Sequence, residues 1–294
     1  MDFINALPFS ISQGLIWGVM AIGLYITYKI LDIADLTVDG SLCTGAVIFA
    51  VTYGAKLNIW LCLLISLLVG ALAGLLTGVL HTVFGIQPIL AGILTQLILW
   101  SVNLTILGKA NKPVSGSPII SMANIGITII VATIFCAVII GVLYFFFGTE
   151  LGCSIRATGN NEKMSRAQGI NVSVNKVIGL MISNGLVALS GALLSQYQGN
   201  ADIKMGTGAI VIGLASIVIG TTIVSKISSN FALQLFGTVL GAIIYYTIYQ
   251  FVINLGLDAN LLKMLSAIIV TIFLAVPYCK STYFSKKKKV NKGD

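Results

Sequence analysis

The sequence predicts an all-α fold: a polytopic transmembrane helical bundle of about nine crossings, with one or more interrupted helices. Three observations carry this. Of 294 residues only 9% are charged and 57% are apolar, far from the roughly quarter-charged balance of an ordinary soluble domain. Runs free of Asp, Glu, Lys and Arg cover residues 3–28, 57–108, 113–149, 177–201, 205–225 and 227–257, and about 20 apolar residues cross a bilayer core. Breaks fall near Gly40, Pro88 and Gly206. Broken backbone at membrane depth is tolerated only where it is buried in protein or lines a wet cavity.

Taken in order, the candidate crossings are residues 10–29, 40–55, 57–80, 88–107, 125–147, 176–198, 207–225, 230–252 and 261–279. The second and the last are short. The first has no basic residue before Lys29, so it lacks the n-region of a signal peptide and is expected to remain in the mature protein. Residues 1–280 read as one membrane domain interrupted by a polar stretch at 149–176, and residues 281–294 as a basic tail.

The net charge of +8 raises a nucleic-acid reading, but much of it sits in the tail lysines 286–289 and 292, which mark topology instead. Placing the tail and residues 149–176 inside puts Lys29, Arg156, Lys163, Arg166, Lys176, Lys226, Lys280 and the tail lysines in the cytoplasm. Lys56, Lys109, Lys112, Lys204 and Lys263 then lie outside. The expectation is N-terminus out and C-terminus in.

Small residues recur at four-residue spacing as Gly70, Gly74 and Gly78, as Gly14 and Gly18, and as Gly237 and Gly241. This pattern brings helix backbones close, within one subunit or between subunits. An echo links Ala34-Asp35 with Thr44-Gly45-Ala46 to Ala201-Asp202 with Thr207-Gly208-Ala209. It is either chance similarity or the trace of an inverted repeat.

Enzyme classes find little support. The nine carboxylates are scattered, His81 is the only histidine, and no G-x-S-x-G elbow occurs, so no catalytic set converges. The five cysteines are unclustered and mostly lie in apolar runs, which indicates neither a disulfide framework nor a metal site. No G-x-x-x-x-G-K-[ST] loop is present, so ATP-driven transport would need its nucleotide in another subunit.

Two polar groups fall within the membrane region. In residues 35–41 (DLTVDGS), Asp35, Thr37, Asp39 and Ser41 precede a short helix. Asp39 or Ser41 can cap it, and its N-terminal dipole suits a carboxylate-bearing substrate. The second group is Gln96, Asn103 and Thr105 with Asn184, Ser195, Gln196 and Gln198, which either line a polar path or cross-link helices. Asp35, Thr37, Asp39, Ser41, Asn103, Asn184, Gln196 and Asp202 are the candidate translocation residues.

Residues 149–176 form the longest polar stretch between crossings. A short amphipathic helix is expected at about 161–168, capped by Asn160 or Asn161, with Glu162 in the first turn, Arg166 late and Gly169 as its stop. Gly152, Arg156, Ala157, Gly159 and Asn160, followed by Gly169-Ile170-Asn171-Val172, give the order G-x-x-x-R-A-x-G-x-N … G-I-x-V. This stretch resembles the coupling segment of permeases of ABC importers of the branched-chain amino acid and ribose class. Residues 35–41, 183–202 (SNGLVALSGALLSQYQGNAD) and 205–220 (MGTGAIVIGLASIVIG) are similar to the subgroup of tryptophan and tyrosine transport permeases.

The resemblance implies a permease dimer in the bacterial cytoplasmic membrane, two cytoplasmic ATPase subunits that hold ATP and Mg, and an extracytoplasmic binding protein. No cofactor would be bound by this chain. By carry-over, Gly152, Arg156, Ala157, Gly159, Asn160, Asn161, Arg166, Gly169 and Ile170 belong to the ATPase coupling segment, and the implied cargo is an amino acid, with an aromatic one as the narrower expectation. A stand-alone secondary transporter or channel for a small polar solute is the alternative; it would need an ion-coupling site that the sequence does not display.

Overall fold

The computed structural model describes residues 3–114, 116, 118–224 and 230–254, with isolated positions between 264 and 275. Most of the expected ninth crossing and the whole basic tail lie outside the described residues. The chain is built from α1 (Phe3–Tyr25), α2 (Val38–Gly54), α3 (Ile59–Thr82), α4 (Pro88–Leu107), α5 (Ile125–Gly148), α6 (Glu150–Asn160), α7 (Glu162–Ala167), α8 (Val172–Gln198), α9 (Ala209–Val224) and α10 (Phe231–Asn254). Eight expected crossings coincide with these apolar helices. Six are long and apolar enough to span a bilayer, whereas α2 and α9, with 17 and 16 residues, are shorter.

Local sequence sets many of the boundaries. Asn58 caps α3 by accepting from the Trp60 amide, Pro88 occupies the first turn of α4, and Gly108 ends α4 at φ +67. Asn171 caps α8 and Gly199 ends it at φ +70. The end of α1 is different: it runs into a π-helical turn, Ile26–Ile30, after which Asp32 takes φ +55.

Helices α1 and α8 form the buried centre. Helix α8 packs on α3, α2 and α1, and α10 packs on α1 and α9. Helices α3, α4 and α5 turn large apolar side chains outward, Trp60 at 61% and Phe145 at 77% exposure among them, as expected of a lipid-facing layer. The glycine stripes mediate contacts within this one chain: Gly70 and Gly74 meet α8, Gly14 and Gly18 meet α10, and Gly241 meets α9. At one end of α8 a small antiparallel ribbon pairs β1 (Asn111–Pro113) with β2 (Asn200–Asp202). Helices α6 and α7 precede the other end.

Two expectations change. Gly40 lies in the first turn of α2, so the break precedes it, at residues 31–37. Residues 149–176 are not a loop with a single short helix. They hold two helices, α6 and α7, before α8 begins; α6 buries Gly152, Ile155 and Thr158 on its inner face, and that single aliphatic side chain is too little to signal a helix in sequence. The second helix is as expected: Asn161 accepts from the Met164 amide at 3.0 Å, Glu162 opens α7, Arg166 lies in its last turn and Gly169 follows at φ +80.

Gly191 supplies a test of the α2–α8 contact, since a Cβ there would lie 1.9 Å from the Leu42 carbonyl oxygen, whereas one on Gly141 meets nothing within 4 Å. Gly191→Val should destabilise the fold by about 1–3 kcal/mol or more, read as a lower midpoint of thermal unfolding in detergent. Gly141→Ala should leave that midpoint unchanged.

Candidate functional site

A buried polar network sits at the middle of the bundle. Asp35, 1% exposed, accepts from the Thr37 amide at 2.8 Å and from Asn184 Nδ2 at 2.7 Å. Asn184 lies about midway along α8, and its Oδ1 accepts from Ser41 Oγ at 2.6 Å. Thr37 Oγ1 lies 2.8 Å from Thr77 Oγ1, which donates to Thr95 Oγ1 at 3.0 Å. One chain of contacts thereby joins the residues before α2 to α8, α3 and α4. A buried carboxylate needs such partners, because its desolvation is otherwise uncompensated.

Asp39 acts elsewhere than expected. Its carboxylate accepts from the Gly208 amide at 3.0 Å and the Ile210 amide at 2.9 Å, so it caps α9 across the bundle rather than α2. A Cβ on Gly206 would lie 1.9 Å from the Asp39 carbonyl oxygen, which explains the glycine at that break. Ser41 is likewise no cap. The N-terminal end of α9 therefore already holds a carboxylate of the protein, and a substrate carboxylate is not needed there.

The other amides divide. Asn103 donates to Thr44 Oγ1 at 3.1 Å, and its buried Oδ1 has no hydrogen-bond partner. With Gln96, Asp39 and Thr207 it lines a cavity of about 20 Å³, room for a single water. Both amide atoms of the buried Gln196 are also unpartnered. Ser195 bonds its own helix at Ala192 O, and so does the exposed Thr105 at Ser101 O. Gln198 is exposed, and Asp202 sits in β2 with its Oδ1 on the Lys204 amide at 2.6 Å. The structure does not bring Asp202 into the central network.

Thr77 and Thr95 are members that sequence reasoning missed. Each is an isolated threonine in an apolar helix, and only the fold brings it opposite Thr37.

At the α6 end, the ordered motif resolves into one helix face. Gly152, Arg156 and Gly159 stand at i, i+4 and i+7. A Cβ on Gly152 would lie 2.3 Å from the Phe146 carbonyl oxygen, and one on Gly159 would lie 1.8 Å from the Ile30 carbonyl oxygen. Arg156 donates to the Phe147 carbonyl, and its guanidinium carbon lies 5.1 Å from the Phe231 ring centroid, a cation–π contact. The motif thus seats α6 against the ends of α1 and α5 and the start of α10. Asn175 of α8 donates to Thr158 Oγ1 at 2.9 Å, and Ser154 donates back to Asn175 at 3.3 Å. Lys176 pairs with Glu162, which lies 3.9 Å from Arg166.

The remaining motif residues are local. Ala157 O accepts from the Asn161 amide, closing α6, and the Ile170 amide donates to Ser165 O, closing α7. The outward side carries exposed Asn160, Met164 at 58% and Leu151 at 55% exposure.

A helical membrane bundle with two interrupted helices and a helical segment seated on one end belongs to the class of transport permeases. The chain matches, over residues 7–275, the family described as the permease component of the branched-chain amino acid transport system, and it belongs to that family of ABC-type permeases. It is 41% identical over 265 residues to a tyrosine transport system permease protein of Clostridioides difficile, covering 90% of this chain and 88% of that one. A fructose import permease protein of Bifidobacterium longum is 28% identical over 81% of this chain and 68% of its own. For the ribose import permease protein of Escherichia coli the figures are 27%, 45% and 40%. No solved structure matches.

Asn184→Leu tests the network, because it strands both Asp35 Oδ2 and the Ser41 hydroxyl. It should cost about 1–3 kcal/mol per stranded group, seen as a lower unfolding midpoint. Adding Ser41→Ala should cost less in this background than in the wild type. Additive losses would mean that Ser41 and Asn184 are not coupled.

Proposed function

We propose that the chain is the membrane subunit of an ATP-driven importer for an amino acid, with an aromatic one as the preferred cargo. A second copy, two cytoplasmic ATPase subunits and an extracytoplasmic binding protein complete the assembly. ATP and Mg reside in the ATPase subunits, the lipid bilayer is the surrounding phase, and no nucleic acid is involved. The N-terminus faces outward, and α6, α7 and the tail face the cytoplasm of a bacterial cell. Cargo choice is supported by the relative named as a tyrosine transport permease; the relatives named for fructose and ribose import mark how far cargo varies.

The observation that carries the reading is the two-sided α6–α7 segment. Its inner face, Gly152, Arg156 and Gly159, is pressed on three membrane elements, while Leu151, Met164 and Asn160 face away from the bundle. A groove on the ATPase receives the outer side. When ATP closes the ATPases, displacement of α6 passes through the Gly159–Ile30 contact to Asp35, Thr37 and Asn184. Asp39 carries the same displacement to α9. Asn103, through its unpartnered Oδ1, and Gln196, through both amide atoms, are the side chains free to meet passing cargo, and Asp202 belongs to the outer mouth.

Gly159→Val should lower ATP-dependent uptake, compared at equal amounts of inserted protein, by on the order of tenfold or more, because the helix loses its seat. Met164→Asp should instead reduce co-purification of the ATPase subunit. Unchanged uptake and unchanged association in both variants would reject the coupling role. For cargo, thermal-shift screening of the partner binding protein across amino acids, nucleosides and sugars should give an aromatic amino acid. A sugar response alone would remove that choice while leaving transport intact.

A further inference from the structure

A cavity of about 590 Å³ opens between the end of α1, α6 and α10, a volume in the range of small-molecule sites. Its walls include Tyr28, Lys29 and Asp32 from the end of α1, Arg156 from α6, and Phe231 and Gln234 from α10. It lies at the α6 end, away from the network at the middle of α8.

The wall chemistry is mixed in a specific way. Lys29 and Asp32 are exposed, and the ion pairs among the described residues are those of Glu162 with Arg166 and Lys176, so neither Lys29 nor Asp32 has a charged partner among the described residues. Gln234 Oε1 accepts from the Tyr25 hydroxyl, which orients the amide and leaves its N–H donors for a ligand. Asp32 is held at φ +55 while the Leu31 amide donates to Ile26 O at 3.0 Å and the Ile33 amide to Thr27 O at 2.9 Å. Aspartate tolerates that conformation better than most residues, and backbone held there clusters at ligand clamps.

We propose that this cavity binds a small zwitterion of the α-amino-acid class and that occupancy slows the transporter. The ligand carboxylate meets Lys29 and the Gln234 amide, its ammonium meets Asp32, and its side chain lies against Tyr28 and Phe231. Arg156 and Gly159 form part of the same wall, so a bound ligand bridges α6 to α1 and α10. Those are the elements α6 must move against, and a ligand that favours the seated α6 opposes its displacement. Cargo accumulating on the α6 side would thereby restrain further import. This rests on the amino-acid importer reading above.

The test uses the complete transporter in proteoliposomes with ATP in the lumen, so that the α6 face points inward, and initial uptake of labelled L-tyrosine. Preloading the lumen with unlabelled L-tyrosine should slow wild-type uptake by about fivefold or more, the low end of ordinary allosteric coupling. Asp32→Asn and Lys29→Gln should keep uptake into empty vesicles and lose the inhibition. A wild-type rate insensitive to preloading, inhibition that survives in both variants, or inhibition by inorganic phosphate but not by L-tyrosine each overturns the proposal. Titration calorimetry of L-tyrosine into the full-length permease in nanodiscs separates the two readings. No uptake into empty vesicles counts against the cargo assignment, whereas heat of binding that disappears in Asp32→Asn still supports the site, and no heat in the wild type removes it.

Discussion

The 2.7 Å hydrogen bond from Asn184 to the buried carboxylate of Asp35 is the constraint on which the centre of the bundle depends. A carboxylate at that depth is tolerable only with partners, and Asn184 is anchored by its own bond to Leu180 O at 3.0 Å. The chain after α1 must therefore return to the middle of α8 before α2 can begin. That return places Thr37 against Thr77, Ser41 against Asn184, and Asp39 one turn further, where it caps α9. Both short helices thus start from neighbouring carboxylates. Their interruption is a consequence of where two acids are satisfied, not of helix-breaking residues alone.

The sequence-to-structure lesson differs by element. Apolar runs located eight helices, because in lipid the backbone must satisfy itself and hydrophobicity dominates the pattern. The cap and stop of α7 were readable as Asn160 or Asn161 and Gly169, since capping is local chemistry, and the structure uses Asn161. Helix α6 was not readable, because on its inner face Gly152, Ile155 and Thr158 supply a single aliphatic side chain, too little to mark a period. The role of Asp39 was also hidden: its partners, the Gly208 and Ile210 amides, lie far along the chain, and no local rule links them. Asp35, Ser41 and Asn184 were recognisable as polar groups in an apolar setting, but their pairing was not.

Helix α6 also changes the meaning of the motif that first distinguished it. A run ordered as G-x-x-x-R-A-x-G invites the idea of an arginine offered to a partner. The arginine instead folds back onto Phe147 and Phe231, and both glycines exist because backbone lies where a Cβ would go. The motif is spent on seating the helix. With Thr158 and Ser154 held by Asn175, α6 is fixed on three sides and is suited to pass on a displacement as a unit. In the proposed coupling role, recognition falls to side chains outside the motif, such as Met164, whose flexible thioether adapts readily to a groove.

The same distinction bears on selectivity. Asp35, Asp39, Ser41 and Asn184 satisfy one another or the backbone, so a cargo molecule could engage them only by displacing bonds that hold α2 and α9. Among the described residues, the buried side-chain polar atoms left over belong to Asn103 and Gln196 together with the indole nitrogen of Trp17. These are neutral groups, which can hydrogen-bond a hydroxyl, an amide or a carboxylate with little preference for charge. Under the proposed transport function such groups would discriminate weakly by charge, in keeping with relatives named for tyrosine, fructose and ribose.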